Sequence, residues 1–296
     1  MVPQEVPITN ETMLQSTQAA TRNQRGEITR STMRDLRWTL NGLDESFGDR
    51  PLKMFGPAAV DRWLESIAHL AAATRREYLS RVRTFTRWMV ATGKLRTDPT
   101  LHVPKIRQAV RVPRVLEEWQ VARLLRAAPD TRARAVLWLM VGCGLRCCEV
   151  ARLQVEDFTG RDVTVCGKNS NERTVPVPVR VAAAVNAYLE EVGVTAGPLI
   201  RNELHSTQGL SPRTLSGYVR GWMVAAGVKQ RAGDGRSAHG LRRTCASDVA
   251  DSADLRVVQQ MLGHARLETS ARHYLRPVSL DAMREAMEGR GYAEAA

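Results

Sequence analysis

Six side chains between positions 146 and 274, Arg146, Lys168, His239, Arg242, His264 and Tyr274, are of the types that phosphoryl chemistry uses. A tyrosine hydroxyl, with a pKa of about 10, is a weak nucleophile at neutral pH. Its attack on a phosphodiester therefore needs the growing charge stabilised and the leaving group protonated. Two guanidiniums can each grip non-bridging oxygens in a forked geometry and stabilise the five-coordinate transition state. A lysine such as Lys168 can give its proton to the leaving 5′ oxygen. Cations gathered in this way around one phosphate, with Tyr274 beside them, would break and rejoin a DNA strand without metal or ATP.

These residues need elements to hold them, and the hydrophobic pattern predicts which. Residues 1–28 are polar and aperiodic and read as a tail. Met33, Leu36, Leu40 and Leu43 fall on one face of a first helix, and Val60, Trp63, Leu64 and Ile67 on one face of a second. Over 74–92 a third helix carries Tyr78, Leu79, Val82, Phe85 and Met89 as an apolar stripe. Its other surface holds Arg75, Arg76, Arg81, Arg83 and Arg87. Their charge falls along an arc rather than in pairs with glutamates, which suits an external phosphate backbone. Residues 104–114 are basic, aperiodic and bounded by prolines, the signature of a linker whose Lys105, Arg107 and Arg111 would lie along DNA.

The second domain opens with helical patterns over 117–128 and 132–141, followed by Gly142, Gly144 and then Arg146. Alternation over 162–166 and 173–177, with asparagines between, predicts a β-hairpin bearing Lys168 at its tip. Helices follow over 180–192, 212–226, 241–250, 255–262 and 268–274. The expected domains are a tail (1–28), a helical DNA-binding domain (29–103), a linker (104–114), a catalytic domain (115–278) and a C-terminal segment (279–296). In that last segment Leu280, Met283 and Met287 share a face suited to docking on a neighbouring protomer.

Composition agrees with an anionic partner. The 296 residues carry 43 Lys+Arg against 31 Asp+Glu, a net charge of +12, and 43% hydrophobic residues are enough for two cores. No basic region followed by an apolar run opens the chain, so a cytoplasmic location is expected. The longest apolar run, 135–141, is far short of the roughly 20 residues that span a bilayer, and no membrane partner is expected. Five cysteines without a C-x-x-C pair argue against a disulfide framework and a zinc ribbon. Gly142-Cys143-Gly144 fails as a dinucleotide fingerprint, because Cys147 stands at the third glycine position. No cofactor and no metal are implied.

Read together, five local sequences resemble those of the tyrosine recombinases, the phage integrase family. Gly144-Leu145-Arg146-Cys147-Cys148-Glu149 is similar to its G-L-R-x-x-E segment, and residues 167–176 to its G-K-G-x-K-x-R-x-V-P hairpin. His239-Gly240-Leu241-Arg242 matches H-x-L-R, Leu262-Gly263-His264 matches L-G-H, and Tyr274 falls where the family places its nucleophile. The hairpin departs from the family at Asn169 and Asn171, which leaves Lys168 as its one lysine. The resemblance implies a mainly α fold: a helical N-terminal core-binding domain and a mixed α+β catalytic domain with a small β-hairpin sheet.

The resemblance also implies roles. Arg146 and Arg242 would bind the scissile phosphate, His264 a non-bridging oxygen; Lys168 would be the general acid, His239 would assist proton transfer from Tyr274, and Glu149 would orient Arg146 or His239. It implies a site-specific recombinase forming a 3′-phosphotyrosyl intermediate and a Holliday junction. The partners would be double-stranded DNA with specific core sites and a homo-tetramer on that DNA, with room for a directionality or host factor. The expected task is integration and excision of a phage or mobile element, without arm-type sites. Chromosome dimer resolution and type IB topoisomerase-like swivelling are the alternatives.

Overall fold

A computed structural model describes residues 30–48, 54–107, 115–167, 172–202, 207–231, 234–251 and 254–263. The chain forms two compact units that divide at residues 110 and 111. The expected tail (1–28), the hairpin tip with Lys168, Arg111 of the linker, His264, Tyr274 and the C-terminal segment lie outside the described residues.

The first unit is built from α1 (Arg30–Phe47), α2 (Pro57–Ser66) and α3 (Ala72–Ala91). Each helix buries most of the stripe that its spacing sets out, with Met33, Leu64 and Tyr78 half-buried at the edges and Ile67 just past the end of α2. Leu36, Leu40, Leu43 and Phe47 of α1 are buried, as are Val60 and Trp63 of α2 and Leu79, Val82, Phe85 and Met89 of α3. Full burial of such side chains contributes about 1.5–3 kcal/mol apiece. Phe47 and Phe55 meet edge to face with centroids 5.2 Å apart, closing the end of this core. Proline in the first turn of α2 supplies a fixed φ where no amide donor is needed.

The second unit is arranged around α5 (Thr131–Gly142), whose Ala133, Ala135, Val136, Leu137, Leu139 and Met140 are all fully buried. Past the exposed Arg134 the helix is apolar on every side and must be central. Its start is fixed by Asp130, whose side chain accepts from the Ala133 amide at 2.6 Å. Around it stand α4 (Glu118–Arg126), α7 (Val179–Val192), α8 (Pro212–Ala225) and α9 (Ala238–Ala250), and α10 (Leu255–Leu262) packs on α9 and the hairpin. Between α5 and α7 come the short α6 (Cys147–Val150), a 3₁₀ turn at Val155–Asp157, and strands β1 (Asp162–Cys166) and β2 (Glu172–Pro176).

The strands form one antiparallel hairpin in which Val163 faces Val175 and Val165 faces Arg173. Val163, Val165 and Val175 point into the core, so the period of two sends Arg173 inward with them. This is the mainly helical class with a small hairpin sheet that the sequence leads one to expect. One boundary differs in a way that matters: α9 begins at Ala238, not at residue 241, because the Ser237 hydroxyl accepts from the Gly240 amide and starts the helix there. His239 therefore stands in the first turn of a helix. No described helix is long and apolar enough to cross a membrane.

Candidate active site

Where α5 ends, the chain turns through Gly144 in the left-handed region (φ +65°). A Cβ there would lie 3.2 Å from Leu262 Cδ2 and 3.3 Å from Cys245 Sγ, so backbone and packing both require glycine. Leu145 is then sunk in the core, and Arg146 emerges at the N-cap of α6 with its side chain 36% exposed. Glu149, in the first turn of α6, folds back on it. One carboxylate oxygen accepts from the Arg146 amide at 2.8 Å and the other from Arg146 Nη1 at 2.6 Å. A carboxylate in this place satisfies an orphan amide and complements the helix dipole.

Two further arginines reach the same carboxylate. Arg173 of β2 makes a forked pair, Nη1 to Oε1 at 3.0 Å and Nη2 to Oε2 at 2.8 Å, and its Nε donates to the Met261 carbonyl at 2.9 Å. Arg242 of α9 is fully buried; its Nη1 donates to the Gly144 carbonyl at 2.7 Å and stands 3.5 Å from Glu149 Oε2. Its Nη2 donates to the Leu262 carbonyl at 2.7 Å. Arg173 and Arg242 thus hold the last carbonyls of α10, the negative end of its dipole, against the turn that presents Arg146. Just beyond, Gly263 is left-handed (φ +62°), and a Cβ on it would sit 2.9 Å from Arg173 Cδ.

The electrostatics favour an anion. Burial on its own would raise the Glu149 pKa, but the Arg173 bonds, the Arg146 amide and the charges of Arg173 and Arg242 outweigh it and bring the carboxyl to about 2. Glu149 is an anion throughout the neutral range, and three guanidiniums share its single charge. The cationic excess matches the demand of a phosphodiester whose charge grows during attack. Three of the neighbouring thiols are held in the protonated form. Burial, reinforced by Cys148, pushes Cys147 up to about 11, and burial pushes Cys143 and Cys245 up to about 12.

Comparison with known proteins decides the family. Residues 114–279 match the model of the phage integrase family. The tyrosine recombinase XerC of Mycobacterium tuberculosis (strain CDC 1551 / Oshkosh) is 36% identical over 227 residues, which cover 70% of this chain and 74% of that protein. The chain belongs to the phage integrase family. XerC of Actinobacillus succinogenes is 33% identical over 201 residues, 65% of this chain and 66% of the relative. The lambda integrase dimer bound to a COC′ core site shares the fold, with a TM-score of 0.76 at 17% identity over 94% of this chain and 82% of that one. So does the Tn1549 transposon integrase in complex with transposon right end DNA, with a TM-score of 0.72 at 15% identity over 93% of this chain and 98% of that one. By family the protein is a tyrosine-type recombinase that acts on DNA.

In this recombinase Arg146, Glu149 and Arg242, expected from the sequence, come together, and His239 lies one turn before Arg242 on the exposed side of α9. The loop leading into α9 is knotted around Asp234, which accepts from Lys229 Nζ at 2.8 Å and from the Arg236 amide at 2.9 Å. Beside it opens a cleft of about 470 Å³ with Arg220, Arg231 and Arg236 on its walls. Sequence reasoning missed Arg173, although it stood in the hairpin motif. The signal was available in the alternation, since a strand that buries Val175 must also turn Arg173 inward.

The arginines of α3 divide into two sets. Arg81 pairs with Glu77 at 2.6 Å, stands 3.7 Å from Asp35 and donates to Thr39 Oγ1 at 3.1 Å, and Arg83 donates to the Val103 carbonyl at 2.6 Å. The premise that this arc lacks internal partners therefore fails for those two, which brace the unit. Arg76 and Arg87 are exposed, Arg75 is half-buried, and Lys105 and Arg107 of the linker are exposed.

Proposed function

We propose that the protein is a site-specific DNA recombinase in which Tyr274 attacks a scissile phosphate. The Tyr274 oxygen forms a bond to phosphorus and the bond to the 5′ oxygen breaks, leaving a 3′-phosphotyrosyl link and a free 5′ hydroxyl. His239 assists removal of the phenol proton, and Lys168 delivers a proton to the leaving oxygen. Arg146 and His264 hold the non-bridging oxygens; Arg242, fully buried and bonded to the Gly144 and Leu262 carbonyls, joins them as a phosphate ligand on exchanging one of those bonds. Attack of a 5′ hydroxyl from a partner duplex reverses the chemistry on a new strand, so the energy of the broken bond is conserved.

The observation that carries this reading is the meeting of three motifs at Glu149, with Arg242 tied to both Gly144 and Leu262. We further propose a tetramer acting through a Holliday junction, with Arg75, Arg76, Arg87, Lys105, Arg107 and Arg111 among the contacts to the duplex backbone. Its task would be integration and excision of a mobile or phage element at core sites. Chromosome dimer resolution is the second reading, favoured by the bacterial sources of the XerC relatives.

The test is a pool of nicked duplexes with random cores, from which DNA covalently joined to the protein is recovered and sequenced. Tyr274→Phe should bind the recovered duplex as the unaltered protein does and yield no adduct. Adduct formed undiminished by that variant would refute the nucleophile. Plasmids carrying one or two copies of the recovered site then separate supercoil relaxation from exchange.

A further inference from the structure

We propose that Arg173 is a positioning residue for strand cleavage: by occupying the forked face of Glu149 it keeps that carboxylate from chelating Arg146, which stays available for the scissile phosphate. The inference rests on the reading of Arg146 as a phosphate ligand.

A carboxylate offers about four lone-pair positions on two oxygens. Arg173 takes one on each oxygen, at 3.0 and 2.8 Å, in the parallel arrangement that guanidinium and carboxylate prefer. The Arg146 amide takes another at 2.8 Å, and Arg242 approaches the same oxygen at 3.5 Å. What is left for the Arg146 side chain is a single bond, from Nη1 to Oε1 at 2.6 Å.

Mobility ranks the three arginines. Arg242 is wholly enclosed and committed to two backbone carbonyls, and the Arg173 side chain is 12% exposed and anchored through Nε to Met261. Arg146, 36% exposed and one helical turn from Glu149, is the guanidinium with freedom to rotate. Removing Arg173 would vacate one site on each oxygen of a buried anion beside that mobile cation. Arg146 would close onto both oxygens, since a buried carboxylate left short of donors is the costlier state. A lysine at 173 restores charge without the fork and should not substitute fully.

The experiment is a mutant cycle of Arg146→Ala, Arg173→Met and the double variant. Single-turnover adduct formation is followed on the nicked duplex recovered above, at saturating protein, together with duplex affinity and thermal midpoint. Arg173→Met should slow cleavage about 10- to 100-fold, the range seen when groups that orient a reactive ligand are removed, with duplex affinity kept. The double variant should cleave no more slowly than Arg146→Ala alone, because the Arg146 contribution is already lost. Effects that multiply in the double variant, or cleavage by Arg173→Met at the original rate, would overturn the proposal. An unchanged rate in Arg146→Ala would instead sink the phosphate-ligand reading. If Arg173→Met does not fold, Arg173→Lys takes its place in the same cycle.

Discussion

A carboxylate enclosed by protein keeps its charge only while its donors outweigh the loss of water, and at Glu149 they do so by a wide margin. Its pKa falls from an ordinary 4.5 to about 2 in the folded chain. The folded state therefore holds fewer protons than the unfolded state between those values. The stabilisation is complete above about pH 4.5 and is lost as the pH falls toward 2. Glu149→Gln keeps the shape, removes the charge and strands three guanidiniums. It should lower the unfolding free energy at pH 7 by about 3 kcal/mol, the scale of breaking a buried ion pair from one side. Urea unfolding across pH checks this: the gap between the two proteins should stay level above pH 4.5 and narrow below it. A gap independent of pH would remove Glu149 from its place as the charged hub.

At the scale of elements, the end of α10 matters because two arginines hold its carbonyls and the chain leaves it through left-handed Gly263. Gly193, at the end of α7, has a similar φ of +67° but open space around its missing Cβ. Alanine at 193 should cost about 1–2 kcal/mol of stability, the strain of a left-handed side chain, with cleavage unchanged. Alanine at 263 carries the same strain and also drives against Arg173 Cδ, so cleavage per folded molecule should fall as well. Thermal melts paired with adduct assays separate the two, and equal cleavage by both variants would dissociate Gly263 from Arg173. These elements were unevenly legible in the sequence. The motifs around Arg146 and Arg242 could be read because each is local, and the amphipathic helices because burial follows their period. α6 spans Cys147–Val150, too short to show a period, and its start depends on Glu149 reaching back to an amide. Arg81 and Arg83 find backbone partners 46 and 20 residues away, which no local pattern encodes.

For the whole molecule, a net charge of +12 sets a general attraction to DNA, but only cations with room to displace counterions contribute to its salt dependence. Exposed Arg76 and Arg87 meet that condition on α3, whereas Arg81 is spent on Glu77, Asp35 and Thr39. Each contact to phosphate adds about 0.9 to the slope of log affinity against log salt. Arg76→Ala and Arg87→Ala should therefore each reduce that slope by about one, weaken binding to specific and unrelated duplexes alike, and leave the thermal midpoint in place. Arg81→Ala should do the opposite, holding the slope and lowering stability by about 1 kcal/mol through the loss of its partly buried pairs. Fluorescence titration of a labelled duplex over a range of salt, alongside urea unfolding, reads both quantities on the same proteins. If Arg81→Ala lowered the slope as much as Arg76→Ala, the division of the α3 arginines into bracing and DNA-facing sets would be wrong, and the whole arc would have to turn toward DNA on binding.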